Sequence, residues 1–194
     1  MTSIEESWFD VSATNWPKSY PHQGVGMVWG NGAGWGTWFS GDPDCIHGIQ
    51  YLPYTPGSVY LIRYPDYIKR AWPTILAARN AKDNLNGGWG DLMVMFHAGQ
   101  DPADAMKFVN STPNMKVEAG NSRAFMYQWC STLDTLGVID KSVTAGYPCY
   151  NVYNKNGKKT YAVYNFDGKP LTVKFTDGTT VNAATKGMNV TAGQ

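Results

Sequence analysis

The sequence has few charged residues, and this shortage already excludes one class of protein. Charged residues make up 16% of the 194 residues, against roughly a quarter in an ordinary soluble domain. The 16 Lys plus Arg nearly balance the 15 Asp plus Glu, which leaves a formal net charge of +1. Polyanion binding requires clustered cations that release counterions. We therefore predict no nucleic-acid partner.

Cysteine, long apolar runs and a leader-like N-terminus are also scarce or missing. The three cysteines, Cys45, Cys130 and Cys149, are too few and too scattered for a disulfide framework, and we interpret them as small buried hydrophobic residues. No run of 18 apolar residues occurs, so we predict no membrane partner. The first residues carry neither a basic segment nor an apolar segment, so we expect no signal peptide in this chain.

Aromatic residues, by contrast, are abundant. They reach 14% of the chain, with 8 Trp and 12 Tyr. A disordered chain is poor in aromatics, so this composition indicates a folded protein. The length fits one domain, or one large and one small domain.

The first two-thirds of the chain predicts helices after an irregular start. Prolines and a glycine-dense run over residues 24–41 predict loops and short turns in the first sixty residues. Apolar residues then recur at three- and four-residue spacing. This pattern predicts four helices: one from Pro65 with a kink at Pro73, a short one over 92–96, one opened by Asp101-Pro102, and one capped by Asn121 and Ser122 and closed by Gly137.

Beyond about residue 145 the apolar period changes to two, which is typical of strands. Asn156-Gly157 between two such runs predicts a β-hairpin. Asp167-Gly168 and Asp177-Gly178 separate two further runs, over 171–175 and 179–183. The predicted fold class is therefore α+β, mostly α-helical, with a helical segment over 1–143 and a small C-terminal antiparallel β unit over 144–194.

The segment from Val28 to Thr55 combines aromatic and polar side chains among glycines. Sugar sites pair flat aromatic platforms with carboxylates, amides and imidazoles, because sugars present apolar C–H faces as well as hydroxyls. The alternative interpretation is that these aromatics form part of the core. Six residues of this segment are candidates for substrate binding: Trp29, Trp38, Asp44, His47, Gln50 and Tyr51.

Neither a metal centre nor a complete catalyst is indicated. A zinc site needs three or four ligands, but only His22 and His97 accompany His47, and no Cys-x-x-Cys occurs. We predict no metal and no cofactor. Glycoside hydrolysis generally uses two carboxylates, and no Asp or Glu lies in a motif that marks it as acid or base.

Several segments together resemble glycoside hydrolase family 81, the inverting endo-β-1,3-glucanases. They are Met27 to Gly30, Thr37 to Phe39, Ile46 to Pro56, Gly120 to Arg123, Tyr161 to Asn165 and Leu171 to Gly178. The segment Ile46 to Pro56 is the most specific of them. The resemblance extends over almost the whole chain and is to the C-terminal part of such an enzyme.

The resemblance implies a fold of paired helices in an α/α toroid, of which this chain contains a part. It also implies a catalytic Asp in an Asp-Gly-His-Ser-Trp motif and two Glu residues in a Glu-Ser-x-Ser-Glu motif. Neither motif occurs in this sequence, so no catalytic residue is assigned. By residue chemistry, His47 and Gln50 would hydrogen-bond sugar hydroxyls, and Trp29 or Trp38 would form a platform.

Two hypotheses about function follow. In the first, the chain is part of an endo-β-1,3-glucanase and is inactive alone, its partners being β-1,3-glucan and the missing N-terminal portion of the enzyme. In the second, it is a non-catalytic β-glucan-binding module. The resemblance implies a secreted or cell-surface location for a full-length family member.

Overall fold

The computed structural model describes Ile62, residues 65–78, Leu85 and residues 88–193. Over these residues it contains four helices and six strands, in that order along the chain. The fold is therefore α+β, as the sequence predicts. The chain divides into two compact units, Met1–Asp134 and Thr135–Gln194. The predicted division into a helical segment over 1–143 and a β unit over 144–194 stays a prediction.

Four helices form the described part of the first unit. They are α1 (Pro65–Ala78), α2 (Gly90–Ala98), α3 (Pro102–Ser111) and α4 (Arg123–Leu136). Each coincides with a segment in which the spacing of apolar residues predicts a helix. None of the described helices is long and apolar enough to cross a membrane.

The predicted capping residues occupy the helix ends. The Asp101 side chain accepts a hydrogen bond from the Asp104 backbone N–H at 2.9 Å, with Pro102 at the first helical position. Ser122 caps α4 by accepting from the Phe125 N–H at 3.1 Å. Asn121, the other predicted cap, uses its side chain elsewhere, as described below.

Helix α2 is the most buried element of the first unit. Every one of its nine residues is buried. Its central residues, Leu92–Phe96, are all apolar, which is typical of a helix in a protein interior. Helices α1 and α3 both contact α2, and Trp129 of α4 donates its indole N–H to the Met95 carbonyl at 2.9 Å. The buried Cys130 lies beside Trp129 on α4.

Six strands form the second unit, in two antiparallel sheets. They are β1 (Val138–Ile139), β2 (Tyr150–Lys155), β3 (Lys158–Asn165), β4 (Leu171–Lys174), β5 (Thr180–Ala183) and β6 (Gly187–Ala192). The larger sheet has the order β1-β2-β3-β6, and the smaller pairs β4 with β5. Asn156 and Gly157 both have positive φ, as the predicted two-residue hairpin turn requires.

The core of the second unit lies between the two sheets. Strand β5 contacts β3 and β6, which brings the smaller sheet against the larger one. The inward side chains form one cluster: Val143, Val152, Tyr161, Val163, Val173, Phe175, Val181 and Ala183. Most of these residues are β-branched or aromatic, the types favoured in strands.

Candidate functional site

The six predicted substrate-binding residues all lie outside the described residues. They are Trp29, Trp38, Asp44, His47, Gln50 and Tyr51. Their grouping into a sugar site stays a prediction from the sequence. The described part of the chain adds polar groups that the sequence does not single out.

Asp91 is the first of these groups. It lies in the first turn of α2 and is fully buried. Its carboxylate accepts hydrogen bonds from the Glu118 backbone N–H at 3.2 Å and from the Asn121 side-chain N–H at 2.6 Å. The Asn121 amide also approaches the Met95 sulfur at 3.4 Å. Asp91 thus joins the start of α2 to the loop before α4.

Burial and hydrogen bonding act in opposite directions on Asp91. Removal from water raises the pKa of this carboxyl above its ordinary value, although the bonds from Asn121 and Glu118 favour the ionised form. The position near the helix N-terminus also favours a negative charge. Because the Asp91 carboxyl group has no solvent contact, it cannot touch a polysaccharide. This geometry supports a role in positioning the start of α2 against the loop before α4.

His97 forms a second buried polar cluster at the other end of α2. Its ring stacks on Trp72 of α1 with centroids 4.1 Å apart and planes 7° from parallel. Phe108 of α3 meets the His97 ring edge-on. His97 Nε2 donates to the Asp104 carboxylate at 3.0 Å. One imidazole therefore ties together α1, α2 and α3.

The protonation states of this cluster follow from its burial. Burial lowers the pKa of His97, although the bond to Asp104 and the nearby Asp101 act in the opposite direction. For Asp104, partial burial would raise the pKa, but the bonds from His97 and Lys107 lower it below its ordinary value. At neutral pH the His97 imidazole is therefore neutral and donates to the ionised Asp104 carboxylate.

Three buried polar atoms have no hydrogen-bond partner among the described residues: His97 Nδ1, Thr112 Oγ1 and Asn121 Oδ1. Within the same part of the chain, no group of three or more His, Cys, Asp or Glu side chains is arranged to hold a metal.

The sequence carries one signal for these buried groups. Asp91 and His97 directly flank the apolar run Leu92–Phe96, where an ionisable side chain must be buried together with a partner. The partners themselves are not apparent from the sequence, because Glu118 and Asn121 lie 27 and 30 residues from Asp91.

The second unit contains a third polar cluster, at the end of its β-sandwich. Tyr161 donates its hydroxyl hydrogen to Asp177, and Lys159 Nζ lies 3.2 Å from the same carboxylate. The tyrosine bond is the main cause that lowers the pKa of Asp177 to about 2. Asp140 lies 3.9 Å from the Lys159 ammonium. These groups connect strand β3 with the turn after β4.

The sequence of the chain is similar to those of proteins from one enzyme family. The model of the glycosyl hydrolase family 81 C-terminal domain matches residues 2–130. A glucan endo-1,3-beta-D-glucosidase of Acetivibrio thermocellus is 37% identical over 96% of this chain, and one of Thermobifida fusca is 35% identical over 93%. The chain spans 24% of each of these relatives, about a quarter of their length.

A solved structure agrees with the sequence matches. The E515A mutant of the family 81 glycoside hydrolase CtLam81A from Clostridium thermocellum superimposes with a TM-score of 0.84 at 35% identity. The superposition covers 99% of this chain and 26% of that protein.

Proposed function

The chain belongs to glycosyl hydrolase family 81 through its C-terminal domain, and from this premise we propose that it is part of an endo-β-1,3-glucanase. The observation that carries the proposal is identity of 35% and 37% with two glucan endo-1,3-beta-D-glucosidases over more than nine-tenths of the chain. The proposed substrates are laminarin-like β-1,3-glucans, hydrolysed by the longer enzyme with inversion. That enzyme would be secreted or lie at the cell surface.

The proposed reaction needs a general acid and a general base. The acid protonates the glycosidic oxygen, while a carboxylate activates water on the opposite face of the sugar. Neither of the two motifs expected to supply these groups occurs in the 194 residues. In this proposal the chain therefore contributes binding residues to the cleft and a part of the α/α toroid, and it is inactive alone.

Each candidate binding residue has a proposed role in that cleft. His47 and Gln50 hydrogen-bond sugar hydroxyls, and Trp29 or Trp38 stacks on a sugar ring. Asp44 and Tyr51 add further polar contacts. The clusters at Asp91 and His97 fix the two ends of the buried helix α2, and their proposed role is positional.

A turnover assay tests whether the chain is inactive without the rest of the enzyme. Laminarin incubated with this chain alone should release no reducing ends, since the acid and base are missing. Measurable turnover would show that a catalyst resides within these 194 residues. A search of the genomic sequence upstream of Met1 complements the assay. The Asp-Gly-His-Ser-Trp and Glu-Ser-x-Ser-Glu motifs in the same reading frame would support the enzyme hypothesis. An in-frame stop codon would support the binding-module hypothesis.

A binding experiment tests the cleft residues. β-1,3-Gluco-oligosaccharides at millimolar concentration should change the intrinsic tryptophan fluorescence of the chain. Trp38→Ala and His47→Ala should each weaken this response about tenfold or more, whereas Tyr127→Ala, at an exposed position of α4, should leave it unchanged. Equal responses of all three variants and the unsubstituted chain would contradict the proposed cleft.

A further inference from the structure

The turn of the β2–β3 hairpin consists of a chemically reactive pair, Asn156 and Gly157. These two residues are the whole loop, because Lys155 pairs with Lys158 on either side of them. Both loop residues are exposed and have positive φ, 55° for Asn156 and 86° for Gly157. The turn geometry accounts for the glycine, but an exposed asparagine amide next to a glycine also has a reaction of its own.

The backbone nitrogen of Gly157 is a nucleophile for the Asn156 side chain. When a base removes its proton, this nitrogen forms a bond to Asn156 Cγ, the Cγ–Nδ2 bond breaks, and ammonia leaves. The cyclic imide then adds water, and one of its two C–N bonds breaks. Cleavage at Cγ gives aspartate, whereas cleavage at the backbone carbonyl gives isoaspartate. The overall change consumes one water molecule and releases one ammonia molecule.

The residue after the asparagine controls the rate of this attack. A side chain on that residue would crowd the attacking nitrogen, and glycine has none. Apart from the neighbours in the chain, no atom lies within 4 Å of the position that a Cβ of Gly157 would occupy, so this side of the turn is open. Among the residues that the structure describes, no other asparagine precedes a glycine.

One hydrogen bond restrains the attacking nitrogen. The Gly157 N–H donates to the Asn154 side-chain oxygen at 2.9 Å. Asn154 is itself anchored, because its Nδ2 donates to the Asp140 carboxylate at 3.2 Å. These two bonds fix the peptide plane between Asn156 and Gly157 in the turn geometry. The bond from Gly157 to Asn154 must therefore open before the nitrogen can approach Asn156 Cγ.

Two lysines beside the turn favour the charged product. Lys155 and Lys158 are both exposed and lie opposite each other at the last pair of the hairpin. Like charges directly opposite each other destabilise a strand pair. Deamidation creates a carboxylate at position 156, next to both ammonium groups, and this negative charge offsets their repulsion.

We propose that Asn156 is a site of spontaneous deamidation and that the Asn154 side chain slows the reaction by holding the Gly157 N–H. This modification is independent of the proposed glucanase function. The aspartate product keeps the hairpin, since Asp-Gly suits the same turn type. The isoaspartate product adds one carbon atom to the backbone of a two-residue loop. Because loop length sets the register of a hairpin, this product disrupts the pairing of β2 with β3 next to the turn.

Peptide mapping by mass spectrometry after incubation of the chain at pH 8 and 37 °C tests the site. The Asn156 peptide should gain the mass that separates an acid from an amide, in two products that chromatography resolves. Asn182, an exposed asparagine of β5 that precedes alanine, is the internal control and should change much more slowly. Mapping also separates Asn156 from Asn31-Gly32 and Asn86-Gly87, which lie outside the described residues. An Asn156 peptide that changes no faster than the Asn182 peptide would overturn the site.

Substitution of Asn154 tests the restraint. Asn154→Ala removes the acceptor and should accelerate deamidation of Asn156 about fivefold, the equilibrium weight of one ordinary hydrogen bond. Asn151→Ala is the matched control, because Asn151 lies on the same strand but farther from the turn, and it should leave the rate unchanged. Equal rates in Asn154→Ala and the unsubstituted chain would overturn the restraint, as would equal acceleration in both variants, which indicates general loosening of the hairpin.

Amide hydrogen exchange checks the same bond without any substitution. In the unsubstituted chain the Gly157 N–H should exchange more slowly than in a peptide of the same sequence, because it is hydrogen-bonded to Asn154. Exchange at the rate of the free peptide would overturn the restraint.

Discussion

Asp91 lies near the start and His97 near the end of the same buried helix, and each side chain has a hydrogen-bond partner from another segment. Asp91 receives two hydrogen bonds from the loop before α4, and His97 donates one to α3. A buried ionisable group costs free energy unless it is paired, so each contact fixes the position of one end of α2. Neither contact could be predicted, because sequence spacing does not reveal which distant residues meet.

The buried imidazole should make stability depend on pH. Burial lowers the folded-state pKa of His97 below the ordinary 6.5, so the unfolded chain binds the proton first on acidification. The stabilisation is complete above pH 6.5 and is lost as pH falls through the folded-state pKa. His97→Phe keeps the stack on Trp72 but cannot titrate. We expect its urea midpoint to change less than that of the unsubstituted chain between pH 7.5 and pH 5.

Asp104→Asn provides the control for that comparison. Its amide oxygen still accepts the His97 N–H, but the nearby negative charge is gone, so the pKa of His97 should fall further and the pH dependence should remain. An unchanged pH dependence in the His97→Phe variant would show that other groups cause it.

At the scale of elements, the end of α4 depends on one glycine. Gly137 has a φ of 90°, and a Cβ at this position would lie 2.1 Å from the Asn154 carbonyl oxygen on β2. Left-handed backbone is unfavourable for residues with a side chain, and this contact leaves no room for one. The close approach allows Val138 to pair with Asn154 directly after the helix.

Gly137→Ala should therefore lower the free energy of unfolding by at least about 1–2 kcal/mol. Chemical denaturation followed by circular dichroism measures the change. Gly168→Ala is the matched control, since a Cβ there meets nothing within 4 Å and its φ is not positive. Equal stability of the two variants would contradict the steric argument.

The elements differ in how well their sequences predict them. The helices and the Asn156-Gly157 hairpin follow from apolar spacing and turn residues, which are local signals. Strands β1 and β6 were not predicted. Strand β1 has only two residues, and β6 exposes its apolar Met188 and Val190, which reverses the usual alternation. Its pairing with β3 passes over β4 and β5.

At the scale of the whole molecule, the near-zero net charge has a consequence for binding. If the chain binds glucan as proposed, a partner without charge meets a chain whose net charge is only +1, so the interaction contains little Coulomb energy for salt to screen. Retention on insoluble β-1,3-glucan (curdlan) should therefore change by less than about twofold between 0.05 and 0.5 M NaCl, in contrast to the steep loss shown by polyanion-binding proteins. A steep fall in retention would indicate that charged contacts carry the binding.

The buried thiol of Cys130 can report local opening of the helical unit. Burial raises its pKa to about 12, so in the folded chain it is neither ionised nor accessible. An alkylating reagent reacts with the thiolate and can reach it only when the packing around α4 opens. The rate at which Cys130 is alkylated thus measures how often the packing around α4 opens, and no label has to be introduced into the protein.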